Sequence, residues 1–190
     1  MRLISDLKIV LVFFSLLVSI PSTTGWAGGE EQTFLTEEVA VKSVFPLAGK
    51  VEKEIHIFTA DQKSRIESRL GWTLNEKSAE VYHGFDKEEK SLGFALVAEE
   101  IGKFKPITFI VRVSNEGKVE RIEVMVYRET VGAEVRKQRF LRQFKNKSVK
   151  DSLRMNRDIL NITGATMSVQ ALTAGVKKAL VILDELYGKK

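Results

Sequence analysis

Apolar residues recur at every second position through the middle of the chain, between residues 79 and 127. A period of two places those side chains on one face of an extended strand. A polar loop at 86–90 and the turn residues Asn115, Glu116 and Gly117 separate these runs, as in consecutive hairpins. The pattern predicts an antiparallel sheet. Its alternating residues are Ala79, Val81, His83 and Phe85, then Leu92, Phe94, Leu96 and Ala98, then Ile107, Phe109, Val111 and Val113.

Further elements extend this sheet and cover it. A strand is expected over 51–58, and the return strand over 119–127 should contain a bulge, because Val119 is out of phase with Ile122 and Val124. Helices are predicted over 36–44, after the capping-box pair Thr59 and Gln62, over 133–144, and from about residue 166 to 186. The predicted class is α+β: an antiparallel sheet of four to five strands flanked by helices, with a long C-terminal helix.

The first residues predict export. The apolar run Ile9–Ile20 is too short to span a bilayer comfortably, and Gly25 and Ala27 provide the small residues of a cleavage site. We therefore expect a signal peptide over 1–27 and one domain over 28–190. An uncleaved N-terminal anchor remains the alternative.

Composition excludes several classes of protein. The chain has no cysteine, so it cannot hold a disulfide, an iron–sulfur cluster, c-type haem or a lipid on cysteine. Its two histidines have no ligand-like spacing, and we predict no metal. The formal charge of +5 falls short of a nucleic-acid-binding signature. No acid–base or nucleophile constellation is evident and no catalytic residue is assigned, so we expect a carrier rather than a classical enzyme.

A phosphate-binding motif precedes the last predicted helix: Thr163-Gly164-Ala165-Thr166-Met167-Ser168. A helix N-terminus offers unpaired N–H groups and a positive dipole end to an anion. Gly164 permits close backbone approach, and the Thr166 hydroxyl could donate a hydrogen bond or carry a phosphate covalently. The simpler alternative is that Thr163 or Thr166 only caps the helix.

The run from Arg157 to Thr166 resembles the flavinylation site of the FMN-binding domain family. That family includes the G subunit of the Rnf electron-transport complex and the C subunit of the sodium-translocating NADH:quinone reductase; this chain is most similar to small stand-alone exported members. There, a flavin transferase outside the cytoplasm links FMN through a phosphoester to the last threonine of a Ser/Thr-Gly-Ala-Thr motif. The resemblance implies FMN as cofactor, covalent attachment at Thr166, and a surrounding site of Thr163, Gly164, Ala165, Met167 and Ser168.

Three further residues are candidates for the cofactor site. Glu129 opens a Glu-Thr-Val-Gly stretch that resembles an element approaching FMN in relatives, and Lys105 precedes a predicted strand. Arg157 is the residue of the basic stretch 136–157 closest to the motif. A solvated basic face is the alternative for that stretch. Trp72, Tyr82, Phe104 and Phe109 could stack on a flavin, with ordinary packing as the alternative.

The sequence thus favours an exported, membrane-associated flavoprotein that transfers electrons, in the periplasm or on the outer face of the cytoplasmic membrane. Its expected partners are a flavin transferase and membrane-bound redox proteins, not nucleic acid. The alternative is an exported, non-redox binding module whose Thr-Gly-Ala-Thr turn caps a helix or binds an anion reversibly. Leu160 favours this alternative, because the family usually has an acidic residue at that position.

Overall fold

A computed structural model describes residues 32–188 of the 190-residue chain. The predicted signal peptide lies outside the described residues. In chain order the elements are β1 Gln32–Thr33, α1 Glu37–Val44, β2 Lys50–Ile57, α2 Ala60–Leu70, β3 Ser78–Phe85, β4 Ser91–Ile101, β5 Pro106–Val113, β6 Val119–Tyr127, α3 Gln138–Leu141 and α4 Thr166–Tyr187. The five long strands and the two-residue strand β1 form a single antiparallel sheet in the order β1-β6-β5-β4-β3-β2.

The predicted α+β class and antiparallel sheet are confirmed. Each of the five long strands coincides with a predicted one, and the short strand β1 adds an edge beside β6. The expected bulge is present: Arg112 pairs with Arg121, whereas the next residue, Val113, pairs with Val119. The capping box is also present, since Thr59 accepts from the Gln62 N–H and the Gln62 side chain accepts from the Thr59 N–H.

The predicted helix over 133–144 is wrong as a continuous element. It is divided into a 3₁₀ turn at Ala133–Arg136, the four-residue α3 and a second 3₁₀ turn at Arg142–Phe144, with Lys137 in an extended conformation. In an unbroken helix, Val135 and Phe140 would point about 140° apart, because each residue turns the helix by about 100° and five steps pass one full revolution by that angle. The break at Lys137 allows both side chains to reach the same core, in which both are buried.

The sheet has a core on each face. Helix α1 covers one face, where Ala40 and Val44 pack with Tyr82 and Ile110. Helices α2 and α4 cover the other face and form the larger core. The predicted apolar stripe of α4 packs there: Val169, Leu172, Val176, Leu180 and Leu183 are buried, and Leu186 is partly buried against the same core.

Helix α4 fixes the position of the predicted phosphate motif. Among the described residues it is also the one helix long and apolar enough to cross a membrane, but most of its length is buried in the fold. Its burial accounts for its apolar composition, as for the core helix of a soluble domain. The N-terminal turn of α4 therefore lies on a rigid element, which is the better support for a ligand.

Candidate functional site

Thr166 is the first residue of α4, and it is exposed. Its Oγ1 accepts a hydrogen bond of 3.1 Å from the Asn161 side-chain amide. Gly164, two residues earlier, has φ +82° and has open space where a Cβ would lie. This left-handed turn is easily adopted by glycine and leaves the approach to the Thr166 hydroxyl free of side chains.

The alternative that a threonine hydroxyl caps α4 is wrong. The N-cap residue is Ala165, and no side chain makes a capping hydrogen bond there. Thr163 is exposed and lies outside the helix. The first N–H groups of a helix have no acceptor within it, so those of Thr166, Met167 and Ser168 remain available to an anion.

An open depression of about 220 Å³ lies beside Thr166. Three separate parts of the chain form its walls: the turn after β4, the loop after β6 and the start of α4. Lys103 is the one lysine or arginine among its lining residues, which also include the first residues of α4. A cation and free amides at one edge suit a phosphate. The lining residues are Lys103, Val131, Gly164, Ala165, Thr166, Met167 and Ser168.

Exposed apolar side chains surround this depression. Val131 and Met167 line it and are 53% and 47% exposed, and Phe104, next to Lys103, is 74% exposed. Isolated exposed apolar residues are common on protein surfaces, but a cluster beside a polar pocket is typical of a ligand site. A cofactor with a phosphate and a flat apolar ring therefore fits the residues present.

Ser168 differs from Thr166 and Met167 because its side chain is buried. The Tyr127 hydroxyl donates to the Val131 carbonyl over 2.6 Å and lies 2.9 Å from Ser168 Oγ. Since the phenol has one proton, the Ser168 hydroxyl is the donor to Tyr127. Burial raises the pKa of Tyr127, partly offset by the bond from Ser168, so the phenol stays protonated at neutral pH. Ser168 can thus offer a ligand its backbone N–H but not its hydroxyl proton.

Glu129 binds the backbone of the turn that contains Lys103. Its Oε1 accepts from the backbone N–H groups of Phe104 and Lys105, over 2.5 and 3.0 Å. Partial burial acts to raise its pKa, but bonds from the backbone of Lys105, Phe104 and Lys103 outweigh that effect and lower it. The carboxylate is therefore ionised at neutral pH, and it accepts its hydrogen bonds from the turn after β4.

The structure brings some of the predicted residues together and separates others. The motif spans the turn that leads into α4 and the first three residues of that helix, and five of its six residues line the depression, whereas Thr163 does not. Lys105 lies in the same turn as Lys103 but outside the lining, and Arg157 is exposed in the turn 154–159, also outside the lining. Asp158, the acidic residue nearest to Leu160, accepts from Ser152 and from the Arg154 N–H, so it is held within its own turn.

Sequence reasoning missed Lys103, Val131 and Tyr127. Lys103 and Val131 are each one or two residues from a predicted site residue, but only the fold shows which neighbour faces the depression. Of the four aromatic candidates, Phe109 is buried in the core and Tyr82 lies on the opposite face of the sheet. Trp72 lines a different cleft, and Phe104 follows Lys103 in the turn after β4. No group of three or more potential metal ligands occurs within residues 32–188.

Comparisons with known proteins agree with this site. Over 165 residues the chain is 26% identical to a Clostridium ljungdahlii protein described as the G subunit of a proton-translocating ferredoxin:NAD(+) oxidoreductase complex, covering 83% of each. The crystal structure of NqrC from Shewanella oneidensis shares the fold, with a TM-score of 0.55 and 14% identity over 77% of this chain and 85% of that one. Residues 102–181 match the FMN-binding domain family. That match runs from the turn containing Lys103 through the motif into α4, and the cofactor that it indicates is FMN.

Proposed function

We propose that the protein is an exported electron-transfer flavoprotein that carries FMN on Thr166 through a phosphoester bond. The family match and the oxidoreductase-complex relative support flavin-based electron transfer. The observation that carries covalent attachment is the position of Thr166. Thr166 is exposed in the first turn of a largely buried 22-residue helix, beside a depression whose lining includes one lysine and the apolar side chains of Val131 and Met167.

The chain's own groups have distinct roles in this proposal. Thr166 Oγ1 would form the bond to the flavin-side phosphorus of a flavin phosphoanhydride as the anhydride P–O bond breaks. The other half of the anhydride would leave as a phosphate monoester, and the hydroxyl proton would pass to the transferase or to solvent. The α4 amides and Lys103 then hold the phosphate, as anions are held at helix N-termini. Val131, Met167 and Phe104 offer an apolar surface to the ring system. The bound flavin supplies the redox chemistry, and the protein supplies attachment and orientation.

Export gives a reason for covalent attachment. A carrier outside the cytoplasm cannot recover a lost cofactor where free FMN is scarce, so a phosphoester keeps it loaded. We therefore propose a location in the periplasm or on the outer face of the cytoplasmic membrane, with a flavin transferase as the modifying partner. The redox partners are membrane-bound proteins, by analogy with the complex to which the Clostridium ljungdahlii relative belongs by its description.

Covalent attachment is tested by intact mass and in-gel fluorescence of the chain produced together with a flavin transferase. Wild type should gain the mass of one esterified FMN and give a fluorescent band after denaturation. Thr166→Val should be dark, whereas Thr163→Val is the matched control, because Thr163 is equally exposed and three residues away. A dark wild type, or a Thr166→Val chain that still fluoresces, contradicts the proposal.

Reversible FMN binding is the second candidate, and Leu160 favours it. Leu160 is 71% exposed at a position where the resemblance implies an acidic residue. In that case the purified native protein is yellow, loses its colour on unfolding, and shows the mass of the unmodified chain.

A further inference from the structure

We infer that Tyr127, the last residue of β6, and Glu129, two residues beyond it, are positioning residues that hold the three walls of the depression together. The inference rests on the proposed function for what the depression holds. Each wall comes from a different part of the chain, and none of the three walls belongs to β6 itself. The side chains of Tyr127 and Glu129 contact all three walls, and the cofactor itself need not contact either side chain.

The first connection joins the loop after β6 to α4. Tyr127 is almost fully buried, and its hydroxyl binds both the Val131 carbonyl and the Ser168 side chain. Val131 lines one wall, and Ser168 lies in the first turn of α4, two residues after Thr166. One phenol therefore fixes the distance between the apolar wall and the turn that carries the attachment hydroxyl.

Gly132 shows how closely these two segments approach. It has φ +84°, and a Cβ there would lie 2.8 Å from Ser168 Oγ and 2.9 Å from the Tyr127 hydroxyl oxygen. Real Cβ atoms do not come so close to such atoms. Any larger residue must displace the Ser168 hydroxyl, the Tyr127 hydroxyl or the loop itself, and each of these changes disturbs the Tyr127–Ser168 contact.

The second connection joins the loop after β6 to the turn after β4. The Glu129 carboxylate accepts from the backbone of Phe104 and Lys105, and the adjacent Gly102 N–H donates to the Lys105 carbonyl. Lys103, the cationic residue of the depression, is inside this turn. Glu129 therefore sets the position of Lys103 relative to Thr166 by binding the backbone beside it.

The test compares Tyr127→Phe with Tyr82→Phe. Both changes remove one buried phenol that makes hydrogen bonds, but Tyr82 donates to Glu37 on the opposite face of the sheet. When each is produced with a flavin transferase, Tyr127→Phe should acquire flavin about fivefold more slowly than Tyr82→Phe. That ratio corresponds to the loss of a net hydrogen bond of about 1 kcal/mol.

A second pair of variants covers the case in which the loss of one phenol is too small to detect. Gly132→Ala and Gly117→Ala carry similar backbone strain, at φ +84° and +74°, but an added Cβ at Gly117 meets nothing within 4 Å. Only Gly132→Ala should slow attachment. Visible circular dichroism per attached flavin reports whether the ring has a fixed environment. In each pair this signal should fall only in the variant at the site, which is Tyr127→Phe or Gly132→Ala.

Amide hydrogen exchange of the flavin-free chain separates this inference from the proposed function. Tyr127→Phe should speed exchange at 130–132 and 166–168, and Glu129→Gln should speed it at 102–105, whereas Tyr82→Phe should change neither. If the wild type never takes up flavin, the proposed function is contradicted. The amide exchange rates then still test whether Tyr127 and Glu129 position the three walls. Unchanged exchange in the site variants, or faster exchange with unchanged attachment and dichroism, overturns the positioning role.

Discussion

Asn161 donates from its side-chain amide to Thr166 Oγ1 over 3.1 Å, across the turn that leads into α4. Because the oxygen accepts from Asn161, the hydroxyl proton must point elsewhere, toward solvent and the modifying enzyme. We expect Asn161→Ala to slow flavin attachment about fivefold, since one net hydrogen bond contributes about 1 kcal/mol. Intact mass measured over time with a limiting amount of transferase gives the rate.

Asn75→Ala is the control for this prediction. Asn75 is also exposed, but it lies in a loop that lines the other cleft, away from Thr166. Equal attachment rates in the two variants would show that Asn161 does not orient the Thr166 hydroxyl.

Lys103 should affect the binding of FMN but not that of riboflavin. The two ligands share the ring system, and only FMN has the phosphate that the Lys103 ammonium would contact. In a Thr166→Val background, which cannot form the ester, Lys103→Ala should weaken FMN binding by up to about fivefold, since exposed ion pairs contribute up to about 1 kcal/mol. Flavin fluorescence titration measures both ligands. Lys87→Ala, an exposed lysine in the β3–β4 loop, is the control, and a parallel loss of riboflavin binding contradicts the phosphate contact.

Much of this fold could be predicted from the sequence because its signals are local. Alternation of apolar residues specifies each strand, and the pair Thr59 and Gln62 specifies the start of α2 with side-chain hydrogen bonds three residues apart. The stripe from Val169 to Leu183 specifies the buried side of α4 in the same way. None of these inferences requires knowledge of which elements meet in space.

The parts that sequence reasoning missed depend on distant residues. The break at Lys137 arises because Val135 and Phe140 must both reach one core, which a local pattern of basic and apolar residues does not reveal. Likewise, Glu129 was predicted beside the cofactor, but the bonds that hold it come from residues 24 and 25 positions earlier. Position 103 has no pattern that distinguishes it from Lys105, and only the turn geometry puts it in the depression.

Leu172 tests the energetic contribution of the α4 stripe. Its side chain is fully buried in the core that α4 forms with the sheet. Leu172→Ala should therefore reduce the free energy of unfolding by about 2–5 kcal/mol. Gln170→Ala, an exposed position two residues away on the same helix, should change it by less than about 0.5 kcal/mol. Urea unfolding followed by circular dichroism measures both, and similar midpoints for the two variants would contradict the assignment of Leu172 to the core.

Glu129 makes part of the stability depend on pH. Its folded-state pKa is lowered, because backbone N–H groups and Lys103 outweigh the opposing effect of burial. A lowered pKa stabilises the folded state fully above the ordinary glutamate value of about 4.3, and this contribution is lost as pH falls through the folded-state value. Wild type should therefore unfold at higher urea than Glu129→Gln at pH 7, and the gap should close in acid. Urea midpoints of both proteins from pH 7 to pH 3 measure it, and a gap that stays constant or widens toward pH 3 means that the charged carboxylate does not stabilise the turn.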